Sequence, residues 1–234
     1  GKRLRPLLTI ASSGLFGYQG DRHIKLAACV ELIHNATLLH DDVIDKSDFR
    51  RGKKTNNHLW GNKNSILTGD YLLGRCFEIM VEDGSLEVLK LLSSVSSEIA
   101  QGEILQLQHE KEVETLEKTY LEIIGSKTSS LFAASMRVGG CINDKSKNEK
   151  EALTSFGFNL GICFQITDDI LDYYSDKIEQ ANARILSFQE RLERLIRHLD
   201  AMRLNQGSPH PDQWLPNRLG GSGSGKKKSK RKRS

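Results

Sequence analysis

Apolar residues along most of the chain recur at helical spacing, and no segment alternates as a strand would. Leu26, Val30, Ile33, Thr37, Val43 and Ile44 mark one helix, and Ile66, Leu67, Leu72, Phe77 and Met80 mark a second. A long third runs from Leu86 through Leu89, Leu92, Val95 and Ile99 to Leu105 and Leu107. Tyr120, Ile123, Ile124, Leu131, Phe132 and Met136 give a fourth; Leu153, Phe156, Leu160, Phe164, Ile166 and Ile170 give a fifth. Gly84, Gly139-Gly140 and Asn143-Asp144 are the expected stops between them. The pattern predicts an all-α fold, several long helices packed around a central space.

The pattern changes after residue 176. Asp176 and Glu179 have capping-box spacing, and Ile178, Ala181, Ile185, Phe188, Leu192, Leu195, Leu199 and Met202 then follow in steps of 3 and 4. This heptad seam fits either one amphipathic helix lying on the bundle or a self-associating coiled coil. Glu190/Arg194 and Glu193/Arg197 support the helix as i,i+4 pairs. Beyond Gly207 come Pro209, Pro211 and Pro216, then a Gly/Ser run to Gly225 that has the composition of a flexible linker. The expected division is a helical domain over 1–177, a heptad-patterned helix over 178–206, a linker over 207–225 and a basic tail over 226–234.

Composition changes this picture little: 38% hydrophobic and 27% charged residues are ordinary for a soluble globular protein. Charge changes it more. The net +4 includes seven Lys or Arg between Lys226 and Arg233, and without those seven the remainder carries −3. The tail is thus the only segment suited to nucleic acid or an anionic surface, and its join to a Gly/Ser spacer gives it the look of an appendage. Cys29, Cys76, Cys141 and Cys163 stand singly in apolar runs without CxxC spacing, which argues against zinc and disulfides and for buried thiols in a reducing, cytoplasmic setting. No signal-peptide pattern or membrane-spanning run is visible.

The candidate chemistry lies at Asp41-Asp42-Val43-Ile44-Asp45. Asp41 and Asp45 are i and i+4 on a helix end, about 5–6 Å apart at the base, and repel unless a cation or proton intervenes. An exposed acidic turn is the commoner meaning of one such motif. Here a second copy, Asp168-Asp169-Ile170-Leu171-Asp172, follows the apolar run Gly161 to Thr167. Two carboxylate clusters facing one another across a bundle mouth call for metal, and all-oxygen ligands select Mg2+, which keeps positions open for phosphate oxygens. The cations agree: Lys2, Arg3 and Arg5 precede a helix, Arg50-Arg51-Gly52 follows the first acidic turn, and Lys127-Thr128 interrupts an apolar helix. Together they predict two anion sites, one bridged by metal and one held directly by Arg and Lys.

Gly1-Lys2-Arg3-Leu4-Arg5-Pro6, Glu31-Leu32-Ile33-His34, Leu38 to Asp45, Arg50-Arg51-Gly52, Gly69-Asp70, Lys127-Thr128 and Gly161 to Asp172 resemble, in order and spacing, the motif set of trans-isoprenyl diphosphate synthases, most like the octaprenyl type that supplies quinone side chains. A DDxxD motif alone is shared with class I terpene cyclases; paired with GKRxRP and RRG it is specific. The resemblance implies an isoprenoid-synthase helical bundle with a central cavity, here lacking the family's N-terminal helices and last third. It further implies Mg2+ on Asp41 and Asp45, with Asp42 nearby, and on Asp168 and Asp172, with Asp169 beside them. Arg50, Lys127, Thr128 and Gln165 are then implied at the allylic substrate, and Lys2, Arg5, His34 and Arg51 at isopentenyl diphosphate. His34 taken alone fits a core histidine as well. The implied reaction is a chain-elongating prenyl transfer by a homodimer. A catalytically impaired fragment that binds diphosphates and associates through its helices is the competing expectation. Ala36 and Thr37, just upstream of Asp41, leave the expected product channel open and so point to a long chain, although Ala36 would equally serve close helix packing.

Overall fold

The computed structural model describes residues 3–50, 52–109 and 116–205, with side chains described through residue 175 and at a few positions beyond. Lys2, Arg51, the linker and the basic tail lie outside the described residues. Two compact units divide between Leu171 and Asp172.

The first unit is the helical domain. Its elements are α1 (Leu4–Gly14), α2 (Arg22–Ile44), a hairpin of β1 (Phe49–Arg50) and β2 (Lys53–Lys54), α3 (Asn56–Trp60), α4 (Asn62–Asp83), α5 (Leu86–His109), α6 (Glu117–Ile124), a π-helical turn (Gly125–Ser129), α7 (Ser130–Ile142) and the first part of α8 (Lys147–Asn205). The all-α expectation holds; the hairpin is its one addition among the described residues, closed by Gly52 at φ 72° with Arg50 opposite Lys53. No described helix is long and apolar enough to cross a membrane.

α2 is the central element. Leu26, Cys29, Val30 and Ile33 repeat every three or four residues, so one stripe of α2 is removed from water. It shares one core with Cys76 and Met80 of α4, Val88, Leu92, Val95 and Ile99 of α5, and Leu131, Ala134 and Val138 of α7. Arg22 at the start of α2 grips Asp83 at the end of α4 through two hydrogen bonds of 2.8 and 2.9 Å. At the opposite end the Ser65 hydroxyl donates to the Leu39 carbonyl at 2.9 Å. The two helices are therefore antiparallel, and the C-terminal turn of α2, with its aspartates, sits beside the start of α4.

Several sequence expectations are corrected. Ile44, expected on the apolar stripe, is 41% exposed, because the stripe ends where the acidic turn begins. Gly139-Gly140 do not stop a helix but lie buried inside α7: a Cβ on Gly139 would strike the α1 backbone at Ser12 and Ser13, so glycine here permits close helix contact. Cys29, Cys76 and Cys141 are buried as expected, whereas Cys163 is exposed. No helix begins at Asp176, since those residues are interior to α8. The capping box that starts α8 is Ser146 with Glu149: the Ser146 amide donates to Glu149 Oε2 at 2.9 Å and the Glu149 amide to Ser146 Oγ at 3.3 Å.

The second unit comprises residues 172–234. It is helical as far as Asn205, and most side chains of the heptad seam fall outside the described residues.

Candidate active site

The last turn of α2 places three carboxylates in three different surroundings. Asp42 is 5% exposed and accepts a 2.8 Å hydrogen bond from Arg50 Nε; the β-hairpin brings that guanidinium back over the helix end. This pair of a buried carboxylate with a half-exposed guanidinium ties the hairpin to the helix end and neutralises Asp42. Asp45 is exposed. Asp41 lies between these extremes, and its carboxyl is pushed up to about 6: burial is the main cause, opposed by Lys127 and reinforced by repulsion from Glu103 and Asp45.

Lys127 reaches Asp41 from the π-helical turn. Its Nζ lies 2.5 Å from Glu103 Oε2 and 3.7 Å from Asp41 Oδ2, and it donates to Gln106 Oε1 at 3.2 Å. The π turn is able to approach α5 and α8 because glycines face it on both sides. A Cβ on Gly102 would come within 2.9 Å of the Lys127 backbone nitrogen, and one on Gly161 within 2.6 Å of Ser129 Cα. π turns inside longer helices are frequent at functional sites, where they reorient side chains. Replacing Gly161 with alanine must push α8 off this turn, and a loss of about 1–3 kcal/mol in unfolding free energy is expected from denaturant titration.

The next residue starts a hydrogen-bonded line across to the second acidic motif. Thr128 Oγ1 donates to Gln165 Oε1 at 2.9 Å, Gln165 Nε2 to Asp169 Oδ1 at 2.8 Å, and the Tyr120 hydroxyl to Asp169 Oδ2 at 2.6 Å. Tyr120 is correspondingly pushed up to about 12, by burial and then by that carboxylate. Asp169 is thus fixed by two donors, and Asp168 beside it lines a cavity of about 440 Å³. Arg5, His34, Asn35, Phe132 and Phe164 also line this cavity. Arg5 Nη1 is 3.2 Å from His34 Nε2, and its guanidinium lies 4.5 Å from the Phe132 ring centroid. The Phe132 and Phe164 rings are 5.4 Å apart. The lining thus combines the cations Arg3 and Arg5 and the acids Glu31 and Asp168 with two aromatic rings.

The structure therefore brings Asp41, Lys127, Thr128, Gln165 and Asp169 into two linked clusters, and Arg5, His34 and Asp168 around one cavity. Asp172 is exposed and belongs to the second unit. Among the described residues, no three His, Cys, Asp or Glu side chains group closely enough to hold a metal ion. The donor set nonetheless suits a hard divalent cation. Asp41 and Glu103 share the single ammonium of Lys127, which leaves excess negative charge at a largely buried place, and every nearby donor is oxygen. Three contributors went unnoticed in the sequence: Glu103, Gln106 and Tyr120. A glutamate following Gly102 within the apolar run from Ile99 to Leu107 was the available signal for the first.

A helical bundle bearing these two aspartate motifs defines a class, and comparison with known proteins identifies it. Residues 1–183 match the polyprenyl synthetase family, and the chain belongs to that family. It is 43% identical over 176 residues to the octaprenyl diphosphate synthase of Escherichia coli, covering 75% of this chain and 54% of the relative. It is likewise 43% identical over 177 residues to an all-trans-nonaprenyl-diphosphate synthase of Rhodobacter capsulatus, with shares of 75% and 54%. Among solved structures, a decaprenyl diphosphate synthase from Rhodobacter capsulatus superposes with a TM-score of 0.72 at 51% identity. So does a polyprenyl synthase from Caulobacter crescentus complexed with calcium and isoprenyl diphosphate, with a TM-score of 0.72 at 48% identity. Each of these superpositions covers 74% of this chain and 53% of the other. The chain spans about half the length of the relatives it matches.

Proposed function

We propose that the chain is a Mg2+-dependent prenyltransferase that condenses isopentenyl diphosphate with an allylic diphosphate to build a long all-trans polyprenyl diphosphate. The observation that carries this is the pairing of a buried, oxygen-lined acidic site at Asp41 and Lys127 with a separate cation-and-aromatic cavity at Arg5, His34, Phe132 and Phe164. Two diphosphate sites are what a condensation of two diphosphates requires and a cyclisation does not.

Asp41 and Asp45, with Asp168 from the second motif, would hold the metal; Mg2+ bound there would supply charge neutralisation for the departing diphosphate. Lys127 donates to the same leaving group, and Thr128, oriented by Gln165, stands next to it. Arg5 and His34 grip the diphosphate of the second substrate, and the resemblance assigns Lys2 and Arg51, outside the described residues, to the same role. Phe132 and Phe164 give that second site an apolar wall that excludes water from the isopentenyl chain. Proton loss to the released diphosphate completes the condensation, so no nucleophilic side chain is needed. The relatives named as octaprenyl and nonaprenyl diphosphate synthases support a long product. A homodimer is supported by Leu67, Tyr71 and Val81, three large apolar side chains 64–67% exposed along α4.

Incorporation of labelled isopentenyl diphosphate into farnesyl diphosphate with Mg2+ tests the activity, and absence of turnover in the wild-type chain would overturn it. Chain length has its own test. Ala36 is fully buried in α2, one turn before the acidic motif. Ala36→Phe is expected to shorten the product by several isoprene units on reversed-phase chromatography; an unchanged distribution would remove Ala36 from the channel.

A further inference from the structure

We propose that Glu103 is a positioning residue whose task is to hold Lys127 away from Asp41 so that the aspartate is free for Mg2+. This inference rests on the prenyltransferase reading and adds a part that the sequence motifs do not contain. The Lys127 ammonium has three protons to donate and three protein oxygens around it: Glu103 at 2.5 Å, Gln106 at 3.2 Å and Asp41 at 3.7 Å. The order of distances is the point. Lys127 is drawn to Glu103 and Gln106, both one helical turn apart on α5, and only brushes Asp41.

Glu103 is well placed to win that competition. The residue is 7% exposed, and its Oε1 is buried without a hydrogen-bond partner among the described residues. The contact to Lys127 through Oε2 is an ion pair and not an aligned hydrogen bond, and among the described residues the ammonium is this carboxylate's counter-ion. A buried charge without its counter-ion is strongly unfavourable, so Lys127 cannot swing fully onto Asp41 without stranding Glu103. Gly102 fixes the arrangement from behind, because it lets the α5 backbone meet the π turn at the Lys127 amide.

Removing the charge while keeping the shape frees Lys127 to close on Asp41, where an ammonium competes with a divalent cation for the same oxygen. Lys127 then becomes an inhibitor of metal binding. In a calorimetric titration of the chain with Mg2+ in the presence of inorganic pyrophosphate, Glu103→Gln is expected to raise the half-saturating Mg2+ concentration about tenfold, consistent with the tenfold to hundredfold losses seen when groups supporting metal ligands are removed. Glu103→Asp, which keeps the charge, should recover most of the loss. In a Lys127→Met background the same Glu103→Gln change should shift the Mg2+ requirement less than about twofold, since the competitor is gone. A rise of equal size in both backgrounds, or no rise in either, would overturn the proposal. If the wild-type chain bound neither Mg2+ nor pyrophosphate, the prenyltransferase reading would fall instead. The Glu103–Lys127 contact on which the proposal stands is judged separately by thermal unfolding: additive Tm losses for Glu103→Gln and Lys127→Met would overturn the proposal whatever the titration shows.

Discussion

Asp41→Asn is expected to abolish most turnover and at the same time to make the protein more stable above pH 7. Loss of a carboxylate that holds metal against a leaving diphosphate should lower kcat by about 10²–10³, read from isopentenyl diphosphate incorporation at saturating substrate. The stability gain follows from the raised carboxyl, at about 6 against an ordinary 3.8. A raised acid means that the folded protein binds a proton more tightly than the unfolded chain. Stability contributed by Asp41 therefore declines as pH rises from about 4 to about 6, and the full penalty, on the order of 3 kcal/mol, is present above that window. Asparagine carries no charge to desolvate. Thermal unfolding at pH 8 should give a higher Tm for the variant than for the wild type, and the difference should vanish near pH 4. A lower Tm at pH 8 would show that Lys127 already offsets the burial of this charge.

Lys127→Met is the second large effect, with the opposite sign for stability. It strips the only ammonium from two buried carboxylates, so a loss of about 3–5 kcal/mol is expected at pH 8 by denaturant titration, less at pH 5 as the stranded acids take up protons. Turnover should fall as well: kcat/KM for the allylic diphosphate is expected to drop by about 10²–10³, the usual cost of removing one donor aimed at developing negative charge. A variant that loses stability but keeps kcat/KM within a few-fold would assign Lys127 to the fold and not to the leaving group.

Much of this candidate site can be read in the sequence, because the groups proposed to meet ligands sit in short motifs with fixed spacing. Asp41 and Asp45 follow from i,i+4 geometry, and the break in apolar character at Lys127-Thr128 marks a functional turn. What cannot be read is who neutralises whom. Asp42 and Arg50 look like ligand residues in a linear motif, yet Gly52 reverses the chain and pairs them. Glu103, Gln106 and Tyr120 act through contacts 21 to 49 residues away, and no local period encodes such contacts. Helix ends follow the same division: Ser146-x-x-Glu149 is a local signal that the structure uses, while Gly139-Gly140 resembles a stop and instead lets α7 meet α1 through Gly139 and α8 through Gly140.

The turn at Gly125–Ser129 also limits how this domain can vary. A π turn is an α-helix with one residue inserted, and each residue advances the helical phase by about 100°. The extra residue thus sets two faces at once: upstream the one that sends Tyr120 to Asp169, downstream the one that buries Leu131, Ala134 and Val138. Shortening the segment by one position could preserve either phase but not both. A one-residue deletion between Tyr120 and Leu131 is therefore expected to cost either the Tyr120–Asp169 contact or the burial of the α7 stripe, whatever the intervening residues are.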